Sequence, residues 1–260
     1  MQTAPSFATP SATPGVRATA PAPRRLVTDA PTRMFHWLFA ASFAGAWLTA
    51  ESEHWRLVHV TLGYIFAGLL GFRLLYAVFG PRQASLMPLW RKVTAIPAWL
   101  RTLRAPSTWS MSFWRQGQHL AMGLAIALML ALVIPLTLSG YASYNDWGGN
   151  WGGDVLEETH ELFANLFLAI IFGHLGLIAL FSLLRRQNVA LPMLTGRMPG
   201  AGASPVKHNH AWLAALLLVA VLGFGAWQWF DAPTGDGPSA GTPSVQVERT
   251  SRHARHGGDD

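Results

Sequence analysis

The chain is organised as long apolar stretches separated by short polar ones. Five of the apolar stretches, roughly 34–50, 57–79, 119–138, 161–184 and 211–230, are long enough or nearly so to cross about 30 Å of hydrocarbon as helices. The first is short, and the third contains Pro135. Away from the ends of these stretches the only formal charge is Arg73. A segment in lipid must satisfy its own backbone donors and acceptors, so the pattern predicts an all-α membrane bundle with five spans. Residues 1–32 read differently, with six prolines, Arg17, Arg24 and Arg25, and no apolar core of the kind a signal peptide needs. They are expected to form a disordered tail, as is the polar, low-complexity segment 233–260.

Charge placement sets the expected orientation. Residues 1–33, 80–118 and 185–210 together hold fourteen Lys and Arg against one acid, Asp29. The opposite loops carry Glu51, Glu53, Asp146, Asp154, Glu157, Glu158 and Glu161 against Arg56 alone. The positive-inside rule puts the basic side, and with it the N-terminus, in the cytoplasm. The net charge of +6 is thereby explained as topology, and a nucleic-acid partner is not expected. Only 12% of residues are charged, against about 25% in ordinary soluble domains, which argues against a soluble enzyme. The absence of cysteine excludes disulfides, thiolate zinc sites, iron–sulfur clusters and thioether-linked haem.

Histidine is then the only strong nitrogen ligand, and four histidines lie at or inside span ends: His36, His59, His160 and His174. His160 and His174 are 14 residues apart, about 21 Å along one helix and within about 40° of the same face. His36 lies the same distance below the outer end of the first helix, level with His174, while His59 lies near the outer boundary, level with His160. Two imidazole pairs with no carboxylate or thiolate at their depth suit axial ligation of two b-type haems. Histidines that simply hydrogen-bond neighbouring helices are the competing account, and a proton relay would normally add an Asp or Glu within the spans. Arg73 follows His59 by 14 residues and needs an anion. A haem propionate would serve, as it would for Arg33, although snorkelling to the headgroups also accounts for Arg73.

The strings DAPTRMFHW (Asp29 to Trp37), WRLVHVTLGY (Trp55 to Tyr64), GFRLLYAVFG (Gly71 to Gly80), EETHELFANLFLAIIFGH (Glu157 to His174) and QNVALPMLTG (Gln187 to Gly196) occur in this order. With them the chain resembles the bacterial cytochrome b561 family, related to the cytochrome b subunits of nickel–iron hydrogenases and formate dehydrogenases. The resemblance covers about 30–200. It implies a four-helix bundle over 33–200 binding two haems b, with bis-histidine ligation by His36, His59, His160 and His174, in the bacterial inner membrane. The fifth span, within 201–232, lies outside the shared core as an additional C-terminal transmembrane helix. Relatives often carry a Gly-His-Asn-Pro string before the third helix, where this chain reads GQHLAMG from Gly117 to Gly123; His119 is read first as an interfacial histidine, with a displaced equivalent near the inner surface as the alternative.

The implied function is one-electron transfer between an outer-side partner and quinone. The partner would be a periplasmic cytochrome, or a dehydrogenase or hydrogenase catalytic subunit. The alternative is a stand-alone quinone oxidoreductase acting on a small outer substrate such as superoxide. A haem-free transporter or anchor, which would be colourless, is the reading from another class. His54 is the rival to His59, but it precedes the span. His208, His210, His253 and His256 are read as solvated loop histidines. Tyr141, Tyr144, Trp147 and Trp151 form either an interfacial aromatic belt or, with the neighbouring acids, a docking surface for a basic carrier.

Overall fold

The structure, a computed structural model, describes residues 23–104, 110–200 and 202–231. The expected tails over 1–22 and 233–260, with His253 and His256, lie outside the described residues. Helices α1 (Ala30–Thr49), α2 (Arg56–Phe79), α4 (Met111–Tyr144), α5 (Gly149–Arg185) and α7 (Ala211–Asp231) correspond to the five apolar stretches. Four of them, α2, α4, α5 and α7, are long and apolar enough to cross a membrane. α1 falls outside that group, because its 20 residues include Arg33, His36 and several small polar residues. It packs against α2 and α7 as part of the same bundle.

α1 and α2 form one hairpin and α4 and α5 another, with α7 laid against α1 and α2. Their outer surfaces expose large apolar side chains such as Val78, Phe79, Leu138, Val219 and Phe230, a surface suited to lipid. Between the hairpins Phe43, Phe66, Leu70, Val133, Leu136 and Phe167 close into a core. Small residues govern the close approaches. At Gly45 of α1 a Cβ would lie 2.7 Å from a methyl of Leu62 in α2.

Two elements escaped the apolar pattern. The expected tail is structured from Arg24 onward: β1 (Arg24–Leu26) pairs antiparallel with β2 (Arg197–Pro199). α1 then begins at Ala30, capped by Asp29, whose carboxylate accepts from the Thr32 amide at 3.2 Å, with a proline in the first turn. A capping aspartate followed by Pro31 is a strong start signal, and it outweighs the proline-rich composition that suggested disorder. The basic connection over 80–118 contains α3 (Met87–Thr102). This helix runs antiparallel to the start of α4, with the Trp99 ring stacked on Phe113 at 5.1 Å and seated over Gly117. Its apolar residues form a stripe rather than a continuous run, so a search for spans passes over it.

At the basic end one short structure ties the chain together. α6 (Leu191–Thr195) ends at Gly196, whose φ of +76° is the left-handed conformation glycine adopts at helix C-termini. The Gly196 carbonyl accepts from the Val27 and Thr28 amides at 2.8 and 3.2 Å. The last carbonyls of α6, which have no partners within a helix, accept from α1: Trp37 Nε1 donates to Met193 O at 3.1 Å and Arg33 to Leu194 O at 3.3 Å.

Candidate functional site

The bundle brings its histidines together in twos. His59 in the first turn of α2 and His160 on α5 face each other with ring centroids 6.1 Å apart and the rings at 79°. Each ring is fixed through Nδ1. His59 Nδ1 lies 2.8 Å from the carbonyl of Ala46, one of the last carbonyls of α1, which lacks a helical amide partner and accepts also from the Thr49 hydroxyl at 3.1 Å. His160 Nδ1 lies 2.9 Å from the carbonyl of Leu136 on α4, with the Ser139 hydroxyl at 3.4 Å. A carbonyl can only accept, so in both rings Nδ1 carries the proton and Nε2 keeps its lone pair. Nδ1 bound to a backbone carbonyl with Nε2 free is the arrangement that prepares a histidine to bind a metal.

Gly140 is part of this construction. A Cβ there would lie 2.7 Å from His160 Cε1 and 2.9 Å from Nδ1, and the ring, tied to Leu136, has nowhere cheap to move. Gly140→Val is therefore expected to displace His160 and lower the haem content of the purified protein, as read by pyridine haemochrome. Unchanged haem content would show that the close approach of α4 to this ring is dispensable.

His36 on α1 and His174 on α5 form the second pair, close enough for electrostatic interaction. Both Nδ1 atoms are buried and have no hydrogen-bond partner. These two rings therefore lack the carbonyl hold of the first pair, and among the described residues no group occupies their Nδ1 atoms, which leaves both imidazoles open to a bound group. Among the described residues no group of three or more His, Asp or Glu gathers as a bare metal ion would require; the imidazoles come only in pairs. At metal–nitrogen bonds of about 2 Å, two trans imidazoles have centroids on the order of 6 Å apart, which the His59–His160 separation matches. Haem with an axial imidazole on each side therefore fits the residues present.

An aromatic layer separates the pairs. Phe167 lies seven residues from both His160 and His174, Phe66 seven from both His59 and Arg73, and Phe43 seven from His36. Seven residues are about 10.5 Å and return to nearly the same helix face. The three rings meet with centroids 4.6 to 5.9 Å apart, and Phe39 stacks on Phe66 at 4.1 Å. The sequence reading passed over these residues, although heptad spacing from the histidines points to them.

The cations separate in role. Arg73 donates to the Ala84 carbonyl at 2.7 Å and sits in the field of Asp29. Asp29 is 2% exposed and accepts from the Tyr76 hydroxyl at 2.5 Å. The N-cap of α1 thus brings a carboxylate within electrostatic range of Arg73 from outside the spans. Arg33 differs, since its Nε is buried without a partner. His54 is exposed in the short 3-10 turn before α2, its ring edge-on to Trp55, away from the facing pair. His119 is also exposed, near Lys92, Arg115 and Arg185. At the acidic end Tyr141 contacts Tyr64 and Trp147, and Arg56 lies over the Tyr144 ring. Glu51, Glu53, Asp154, Glu157, Glu158 and Glu161 are exposed there.

The chain matches the family described as prokaryotic cytochrome b561 over residues 27–196, a region that holds all four paired histidines. Comparison with curated proteins and with solved structures returns no match.

Proposed function

Since the chain belongs to the prokaryotic cytochrome b561 family, and is thus a membrane b-type cytochrome of electron transfer, we propose that it carries two haems b. One would lie between His59 and His160 and the other between His36 and His174, and electrons would pass between an outer-side partner and quinone. The observation that carries this reading is the occurrence of two imidazole pairs, one held through Nδ1 by backbone carbonyls and the other with two orphaned Nδ1 atoms. Haem held by these imidazoles would supply one-electron transfer.

This chain's residues do the rest. Ala46 and Leu136 orient the outer imidazoles, and Arg33 offers its unpaired Nε to a propionate of the inner group. The Phe43–Phe66–Phe167 layer excludes water between the two levels. With its basic end in the cytoplasm, the protein presents its acids beside the outer site. There they would steer a basic redox partner, a periplasmic cytochrome or a catalytic subunit.

Quinone would bind in the apolar cavity of about 500 Å³ between the end of α2 and the start of α7, lined by Phe72, Tyr76, Phe79, His210 and Leu213. Phe72 and Tyr76 stack nearly parallel at 5.7 Å. Phe72 also packs on the cluster containing Phe35, the neighbour of His36. His210 lines the cavity and its Nδ1 has no partner in the protein, so its ring is the group that would meet a quinone oxygen. Quinone and quinol differ by two electrons and two protons. Haem at the inner level would supply or take up these electrons one at a time, and His210 would exchange protons with the quinone oxygens at the basic end. The test is haem reduction by a short-chain quinol. His210→Ala is expected to slow it at least about tenfold, the low side of what a positioned acid–base group contributes, with the haem spectrum unchanged. Equal rates would contradict this placement.

A further inference from the structure

We propose that the cavity between the basic ends of α4 and α5 binds the headgroup of an anionic phospholipid. The cavity has a volume of about 650 Å³ and is lined by Met111, Trp114, Arg115, Gln118, Leu184 and Arg185. Its polar side is organised: Arg185 donates to Gln118 Oε1 at 2.6 Å, which fixes one edge of the guanidinium and leaves other donors to reach a phosphate. His119 adjoins it, within electrostatic range of Arg185, Lys92 and Arg115. Lys92 reaches this place because its stem is laid across α4 at Gly123, where a Cβ would come within 2.9 Å of its Cδ.

The cations have no acid to answer them. Among the described residues the basic end of the bundle holds one carboxylate, Asp29, and it is engaged by Tyr76 and faces Arg73. Lys92, Arg115 and Arg185 are like charges gathered at one place, and an anion among them would relieve their mutual repulsion. The cavity also lies at headgroup depth. Arg185 is the last residue of α5, and the apolar run of α4 starts at Leu120. Its remaining walls are apolar and open, with Met111 78% and Leu184 65% exposed. A phosphate arriving from water would leave those side chains wet, whereas a phospholipid covers them with its glycerol and acyl chains. Basic pockets between spanning helices are places where anionic headgroups bind.

The test uses the full-length cytochrome purified from the membrane and reconstituted in phosphatidylcholine nanodiscs containing a minor fraction of phosphatidylglycerol or cardiolipin. Retained lipid is counted by native mass spectrometry after detergent extraction. The wild type is expected to retain the anionic lipid selectively, and Arg115→Gln/Arg185→Gln to lose that retention about thirtyfold, the loss expected for two cation contacts near a membrane surface. Arg91→Gln/Arg101→Gln, which removes the same charge from α3, should retain the lipid as the wild type does, and Arg185→Lys should keep part of it. The haem spectrum certifies that each variant is assembled. Should the double variant fail to assemble, Gln118→Leu, which releases the Arg185 guanidinium, is expected to weaken retention on its own. Equal retention of phosphatidylcholine, undiminished binding in the Arg115 and Arg185 variants, or displacement by millimolar inorganic phosphate would overturn the proposal.

Discussion

Replacing His160 by alanine is expected to remove about half of the haem, and replacing His59 should remove the same half. The two residues face each other at 6.1 Å, each oriented by a carbonyl that leaves Nε2 free, and they belong to different hairpins, so neither can substitute for the other. His36→Ala and His174→Ala should together define the other half, with a distinct position in the reduced-minus-oxidised spectrum. The decisive comparison is between pairs: His36→Ala combined with His174→Ala should lose no more haem than either alone, whereas His36→Ala combined with His160→Ala should be nearly colourless. Pairing His36 with His160 instead would require the reverse. Thermal stability of each protein in detergent separates loss of a ligand from loss of the fold, since a bound group that recognises only the folded state also stabilises it.

The second large effect is expected at Asp29. Its carboxylate caps α1 at Thr32, accepts from Tyr76, and faces Arg73, so Asp29→Ala removes three interactions at once. Loss of the cap costs about 1 kcal/mol, loss of a hydrogen bond to a charged group about 1.5–3 kcal/mol, and a half-buried cation loses its nearest anion. Because these overlap in one network they do not add, and a total of about 3 kcal/mol is expected. Asn caps helices as well as Asp, so Asp29→Asn should recover roughly 1 kcal/mol, and Tyr76→Phe, which leaves the buried carboxylate short of a donor, should lose about 1.5–3 kcal/mol. Thermal unfolding in detergent ranks the three. Since α1 carries Arg33 and His36 just beyond this cap, Asp29→Ala is also expected to lower the haem content of the inner pair before that of the outer one.

Much of the arrangement was legible in the sequence because a membrane imposes simple rules. Apolar length marked four spans and the fifth helix, and the rise per residue was enough to put His36 level with His174 and His59 level with His160, where the structure brings them together. The quoted strings pointed to the family that the chain matches over 27–196. What stayed hidden depends on contacts between segments distant in sequence. The carbonyls of Ala46 and Leu136 that hold His59 and His160 are backbone groups, which no residue pattern announces. The anion for Arg73 was missed because Asp29 lies outside the spans and reaches inward only as the cap of α1. α3 was passed over because its apolar face is a stripe that packs on α4 at Gly117. His210 read as a loop histidine, yet its Nδ1 is buried once α7 closes on α2.

The central claim is that two imidazole pairs hold two haems, and a count tests it most directly. Pyridine haemochrome analysis of the purified full-length chain, set against protein determined by amino-acid analysis, should give about two haems b per chain. A redox titration of the same sample should resolve two one-electron components. One haem per chain, or none in an assembled preparation, would contradict the account.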